Sequence, residues 1–484
     1  MIKRIRQIAT EIAVLSIGIA VPAAAQDAVN LSLDQAVQIA LEQNLSVRAA
    51  HLGTRIRMAG ITEEEARFGR TLQTSLSHRA DRAPSLSSLD QVQTATSNVQ
   101  SLALDLSQQL ATGGRIGLTF SQNRSASNAA YNAIDPVYGA NLEMTFTQPL
   151  LQGRGKINRA GIDIAANDLE RSELNLDGRI RDLTAEVRSA YWNLFLAHEN
   201  LEVSRQLSNG AKRVLETAKA RVEMGADARS SILQAEVGVA SREENIVIAE
   251  GTVRDAEDRL KSLLGLDRDP DAWNVGLTPT ETPTLVRFDG DLKNGVENAL
   301  NLSTAYRQQE IDLKNIDLQI DLARDGAQPA VDLSFRAGLR GIGSRYSDDL
   351  KGLGDAEGRS WQGGIAFSVP LGASANQARV QRRLIEKEQA EIHRERLRLQ
   401  IAQQVREKHR QVGTNARRAE VNLLAERLAD QNVQEEEERL ALGLSTVRQV
   451  LDAQDDLAEA RIKRLRAVVD YNKALIEWTR FTGE

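Results

Sequence analysis

The sequence predicts a mixed chain whose two halves repeat one order of elements: a short helix, a strand, a loop, a second strand, a long helix, a glycine tip and a returning helix. Three observations predict it. The nine prolines leave two long intervals free, from Pro149 to Pro270 and from Pro370 to the end, and both are rich in Ala, Leu, Glu, Gln and Arg. These residues lose least entropy on entering a helix. Segments that alternate apolar and polar side chains precede each interval, as in strands. The order recurs after about 250 residues, which marks a duplication rather than a short-repeat solenoid.

Each half begins with a helical apolar pattern, LSLDQAVQIALEQN from Leu31 with Ser32 as its cap, and DLKNGVENALNLS from Asp291. In the first long interval Leu207, Ala211, Val214, Ala218 and Val222 recur at spacings of three and four, and Ile232, Ala235 and Val239 resume after Gly225. In the second, Val421, Leu424 and Leu428 form a similar stripe, and Leu457, Ala460 and Leu465 follow the break at Gly443. Both intervals therefore read as helical hairpins. If continuously helical, Gly153 to Met224 and Gly372 to Leu442 would each extend about 105 Å, beyond what a compact globular domain uses. A glycine at each break can adopt the left-handed backbone that lets a helix end and reverse.

The alternating segments are LQTSLS from Leu72, LEMTFTQ from Leu142, VDLSFRAG from Val331 and GIAFSV from Gly364. A further pair, SLALDLSQ from Ser101 and RIGLTFSQ from Arg115, flanks ATGG and reads as a hairpin. Pro149 and Pro370 sit where period two gives way to period three or four. Proline lacks an amide donor and holds the preceding residue extended, which suits a junction from strand to helix. The chain thus divides into a first repeat over 27–270, a linker over 271–285 that carries Pro279 and Pro283, and a second repeat over 286–484.

Residues 1–26 read as a secretory signal, with Lys3, Arg4 and Arg6, a short apolar run and Ala23-Ala24-Ala25. Its removal subtracts three bases and one acid, so the formal charge falls from -6 to -8. That balance argues against nucleic acid as a partner. The absence of cysteine excludes disulfides and thiolate metal sites. No segment has 18 apolar residues in a row, so any membrane crossing must use strands. The alternating strands suit a soluble sandwich or a lipid-facing sheet. Four strands do not close a barrel alone, so the second alternative requires several chains.

Other signals carry less. The five histidines form no close metal-ligand pattern, and QGRGKI from Gln152 lacks the spacing of a phosphate loop. The run Glu435 to Glu438 reads as a solvated helix face. No catalytic constellation emerges. The chain is expected to be no enzyme and to need no cofactor or metal.

In their order and repetition, LSLDQAVQIALEQN, LEMTFTQPLLQGRGK, AYWNLFLAHENLEVS, VDLSFRAG, IAFSVPL and GLSTVRQVLDAQDDLAEARI resemble the outer-membrane efflux protein (TolC-like) family. The resemblance implies a homotrimer that closes both an outer-membrane β-barrel, four strands per chain, and a long periplasmic α-helical barrel. It implies a passive exit duct of a tripartite efflux or type I secretion system, set in outer-membrane lipid of a Gram-negative cell. The implied partners are a periplasmic adaptor and an inner-membrane pump of RND, ABC or MFS type. A non-transporting periplasmic coiled-coil scaffold is the alternative. The hairpin region 91–125 departs from the family pattern, and is expected to form an extracellular loop or periplasmic decoration rather than barrel strands.

The resemblance also implies sites. Asp452 matches an acid that constricts the closed periplasmic entrance. Gln449 stands where a second acid is expected, Ser445 where a base is expected and Ser231 where the first repeat would carry its acid, while Arg448 lies beside them. Met224, Gly225 and Ala226 at one turn, and Leu442, Gly443 and Leu444 at the other, are the expected adaptor contacts. Leu444 and Val447 are expected to pack between neighbouring hairpins.

Overall fold

A computed structural model describes residues 29–85, 91–130, 132–225, 228–356, 358–369, 371 and 375–483. The signal segment, Ala226 and Pro370 lie outside the described residues.

The duplication is visible in element lengths. Helices α1 (Leu33–Gln43) and α2 (Leu45–Ala66) have 11 and 22 residues, and their counterparts α6 (Leu292–Leu302) and α7 (Thr304–Asp325) have the same 11 and 22. The long helices α3 (Ala160–Glu223) and α9 (Ala375–Ala441) have 64 and 67 residues, and the returning helices α4 (Arg229–Leu264) and α10 (Val447–Thr482) both have 36. Polar caps fix the shared breaks. Ser32 and Gln35 form a reciprocal capping box at α1, Asp291 accepts from the Asn294 amide at α6, and Asn44 and Ser303 accept from the amides of Ser46 and Tyr306 at α2 and α7. The sequence pattern does not announce the 22-residue helices α2 and α7. Their apolar stripes are weak, and only the caps at Asn44 and Ser303 mark where each begins.

The chain forms two compact units. The first comprises the described residues up to Ala40, Val187–Pro283 and Ala425–Val469. In it, β1 (Val29–Leu31) pairs in parallel with β6 (Leu277–Pro279), beyond the short helix α5 (Pro270–Trp273), so the linker supplies a strand to the chain start. The buried Tyr191 hydroxyl fastens this pairing: it donates to Leu31 O at 3.0 Å and accepts from the amides of Thr280 and Glu281 at 3.0 and 3.1 Å. Three hydrogen bonds thus converge on one buried oxygen, which satisfies backbone groups that would otherwise be costly to bury.

The second unit comprises Leu41–Glu186, Thr284–Leu424 and Asp470 onward. Its core packs Ala299, Ile401, Val405, Val412, Tyr471, Ala474 and Trp478, with Phe288 and His409 edge-on to the Trp478 ring at 5.3 and 5.6 Å. The sheet belongs to this unit. Among the described residues it has six antiparallel strands in the order β2 (Arg70–Pro84), β3 (Thr94–Gln109), β4 (Arg115–Ser127), β5 (Val137–Pro149), β7 (Ala330–Gly343) and β8 (Gly358–Ser368).

The expectation for region 91–125 is overturned. Its two segments are neither loop nor decoration: β3 and β4 lie inside the sheet, with β3 paired to β2 and β4 to β5. The physical reason lies in the alternation of SLALDLSQ and RIGLTFSQ, which matches the apolar and polar faces of the flanking strands. Pro149 is the last residue of β5. Between β7 and β8 the short helix α8 (Tyr346–Gly354) packs its buried Asp349 toward Gln122, whose Nε2 donates to the carboxylate at 3.3 Å.

Candidate functional site

The two helix tips meet in the first unit. Helix α9 ends in a Schellman cap: Gly443, at φ +74°, donates to Leu440 O at 3.0 Å and Leu444 donates to Arg439 O at 2.7 Å. Gly225, also at φ +74°, ends α3 with the corresponding bond to Val222 O at 3.0 Å. Arg221 then reaches across from α3 and donates to Leu440 O at 2.7 Å. A side chain of one tip thereby adds a second donor to a capped carbonyl of the other.

Behind the turns, Ala211, Val214, Ala218, Ala235, Leu440, Val447, Val450 and Leu451 form one buried cluster. Small residues at three of these positions let the helices approach closely, and Val447 packs within the chain's own tip. Leu444 does not: it is 67% exposed, with Met224 and Leu442 both at 75%. The turns therefore present three large apolar side chains to the outside.

The polar residues at the tip divide into two groups. Asp452 and Arg448 are exposed and face each other one turn apart, with Nε to Oδ2 at 3.7 Å. Such a surface pair contributes little to stability and leaves both charges available. Gln449 and Ser445 are engaged instead in the start of α10: Gln449 Oε1 accepts from the Thr446 amide at 2.9 Å and from Ser445 Oγ at 3.1 Å, while Thr446 Oγ1 accepts from the Gln449 amide at 3.3 Å. Ser445 Oγ shares its single proton between Gln449 and Glu436. Ser231 lies in the first turn of α4, half-buried, its amide bonded to Ala228 O at 3.0 Å.

Sequence reasoning missed Arg242 and Asp455. Arg242 of α4 is buried, and its guanidinium donates to Gly238 O and Leu451 O, both at 3.1 Å, and to Asp455 Oδ1 at 2.9 Å. The group thus joins α4 to α10 one turn behind Asp452. An arginine on a helix otherwise rich in exposed charge gives no sign of burial in sequence. In the run Glu435 to Glu438, Glu435, Glu437 and Glu438 are exposed as a solvated face requires, while Glu436 is half-buried and pairs with Arg439 at 2.8 Å; Glu437 accepts from Gln454 Nε2 at 3.0 Å.

The sheet supplies the other functional surface, through its register. One face carries the row Leu72, Leu106, Leu118, Met144, Ala337 and Trp361 across all six strands. The opposite face carries Gln73, Asp105, Thr119, Glu143, Gly338 and Ser360 in the adjacent row. Polar contacts run along this second face: Thr119 Oγ1 donates to Asp105 at 2.7 Å, and Arg336 Nε lies 3.5 Å from Glu143. A sheet with an apolar band along one face and charged residues along the other suits a boundary between lipid and water.

Comparison with known proteins decides the family. The model of the outer membrane efflux protein family matches residues 115–266 and 295–484, well over half of the chain. The chain belongs to the outer membrane efflux protein family. TolC of Vibrio cholerae serotype O1 is 22% identical over 262 residues, which cover 54% of this chain and 57% of TolC. The chain thus spans little more than half the length of that curated relative. Among solved structures, the CmeC outer membrane channel of Campylobacter jejuni superposes with a TM-score of 0.70 at 15% identity, covering 93% of this chain and 85% of CmeC. The open MtrE outer membrane channel of Neisseria gonorrhoeae gives 0.63 at 18% identity, covering 93% and 88%. The fold of this efflux-family chain is therefore that of these channels. The family match begins at Arg115, after β2 and β3.

Among the described residues no helix is long and apolar enough to cross a membrane, and no group of three or more His, Asp or Glu side chains is placed to hold a metal ion. Of the site residues expected from sequence, Met224, Gly225, Leu442, Gly443 and Leu444 lie at the joined tips. Asp452 and Arg448 lie on the outer surface of α10, and Pro149 ends a strand of the sheet.

Proposed function

We propose that this chain is the passive outer-membrane exit duct of a tripartite efflux or type I secretion system in a Gram-negative cell. Three copies close a β-barrel in outer-membrane lipid and an α-helical barrel in the periplasm; each of the two repeats, 27–270 and 286–484, supplies one helical hairpin, while the first supplies four strands of the sheet and the second two. An inner-membrane pump of RND, ABC or MFS type provides the energy, and a periplasmic adaptor joins it to the duct. Catalysis has no part in this passage.

One observation carries the reading: a sheet with an apolar band on one face and a polar opposite face belongs to the same chain as two hairpins whose leading helices exceed 60 residues. A periplasmic scaffold would need the helices but not a lipid-suited face. The exposed Met224, Leu442 and Leu444 suit docking of adaptor helices by apolar contact. Asp452, repeated by threefold symmetry, would place three carboxylates around one aperture, favouring cations and opposing anions. Arg448 at 3.7 Å moderates that charge.

Single-channel recording of the purified mature protein in planar bilayers tests both parts. Stable openings with a cation preference that Asp452→Ala reduces support the duct and its acidic gate. Openings indifferent to the substitution keep the duct and remove the gate. A folded protein that extracts without detergent and never conducts is the scaffold.

A further inference from the structure

The unexpected β3–β4 hairpin bears on the size of the pore. We propose that both of its strands cross the membrane, so that three copies close an eighteen-stranded barrel through contact of β2 in one copy with β8 in the next. This rests on the reading of the chain as a trimeric duct.

Pairing makes the hairpin integral to the sheet. It is hydrogen-bonded on both sides, to β2 from Arg70↔Gln108 to Pro84↔Thr94 and to β5 from Arg115↔Thr147 to Ser125↔Val137. Lifting it out would expose the edges of β2 and β5 together, and open edges are not tolerated in hydrocarbon. Length agrees. β3 and β4 have 16 and 13 residues, above the roughly 9–11 that a tilted strand needs to span a bilayer.

The faces agree as well. Leu102, Leu104 and Leu106 of β3 and Ile116, Leu118 and Phe120 of β4 continue the apolar surface of Leu72 and Leu76 on one side and of Leu142, Met144 and Phe146 on the other. Asp105, Ser107, Thr119 and Ser121 continue the polar face. A loop standing in water has no need of such a surface. As a lipid-facing wall, the surface needs no other partner.

Closure follows from parity and exposure. Six antiparallel strands leave β2 and β8 running in opposite directions, so copies related by rotation can continue the antiparallel ladder without a mismatch. Both edge strands are uncovered within the chain: Leu72 and Leu76 are 67% and 81% exposed, and Trp361, Ile365 and Phe367 are 80%, 70% and 69% exposed. Unpaired edges of this kind call for another strand, and a second copy supplies one. Barrel diameter grows about linearly with strand number, so the ring would be about 1.5 times as wide as one of twelve strands, with about twice the open area. A barrel of this width would pass bulkier cargo through the outer membrane.

Electron cryomicroscopy of the full mature chain in lipid nanodiscs, with strands counted in cross-section, tests the proposal. Eighteen strands support it. A trimeric barrel of twelve, with the hairpin outside the wall, overturns it while leaving the duct; absence of any barrel overturns both. The natural chain has no cysteine, so single substitutions give an independent readout. Spin label at Leu104→Cys is expected to relax with oxygen in the bilayer and not with a water-soluble nickel complex, and label at Thr119→Cys to do the reverse. Equal access of the nickel complex to both positions would overturn the proposal.

Discussion

Arg242 Nη2 and Asp455 Oδ1 lie 2.9 Å apart, although the arginine side chain is 5% exposed and the aspartate 57%. The pair is therefore buried at one end only. The guanidinium depends on Asp455 for charge compensation, while the carboxylate keeps access to water. Loss of the acid leaves a buried cation with only the carbonyls of Gly238 and Leu451. Asp455→Ala is expected to destabilise the tip by about 1–3 kcal/mol. Hydrogen exchange should rise in α4 and α10 near the pair, and the double variant with Arg242→Met should recover part of the loss because no buried charge then remains.

Asp455 also gives a pH dependence. The part of the carboxyl that is withdrawn from water raises its pKa above 3.8, and the neighbouring Asp452 and Asp456 add to the rise, outweighing the opposing pull of Arg242. The folded chain thus keeps this proton to higher pH than the unfolded chain does. Its contribution is most favourable at low pH and declines as pH rises above 3.8 through the raised pKa of the folded chain. Denaturant midpoints should show the advantage of the natural chain over Asp455→Asn shrinking from acid toward neutral pH. An advantage that grows instead would mean that pairing with Arg242 outweighs burial.

Tyr191→Phe removes the oxygen that serves Leu31, Thr280 and Glu281. The ring still fills its place, so the cost is polar rather than steric. A loss of about 2 kcal/mol is expected, with faster amide exchange at Thr280 and Glu281 as the specific readout. Unchanged exchange at those amides would mean that water replaces the hydroxyl.

Two glycine substitutions should have opposite signs. Gly443 stands at φ +74° in the Schellman cap, and Gly443→Ala is expected to cost about 1–2 kcal/mol. Gly413 lies within α9, and an added methyl there would meet nothing within 4 Å. Gly413→Ala should stabilise by about 0.5–1 kcal/mol through helix propensity. Thermal melts of both variants in one detergent would compare them directly.

Much of the architecture is local and so is readable in residue order. The long helices follow from Ala, Leu, Glu and Arg runs without proline, the reversals from Gly225 and Gly443, and the strands from alternation, each set within a few neighbouring residues. The duplication is legible for the same reason. Ser32 and Asp291 announce their helices because a cap acts across three positions.

What remained hidden depends on residues far apart in the chain. Arg242 is one exposed-looking charge among many until α10 brings Asp455 and Leu451 to it. The hairpin from Thr94 to Ser127 shows its strands and its turn in sequence, but not whether those strands pair with each other alone or also with β2 and β5. That choice is made by hydrogen bonds between segments up to about 40 residues apart, and by the matching of Leu106 to Leu72 and of Leu118 to Met144 across strand boundaries. Sequence by itself determined the elements and their faces. Tertiary structure decided which edges meet, because pairing energy is gained only when distant strands align both their backbones and their apolar sides.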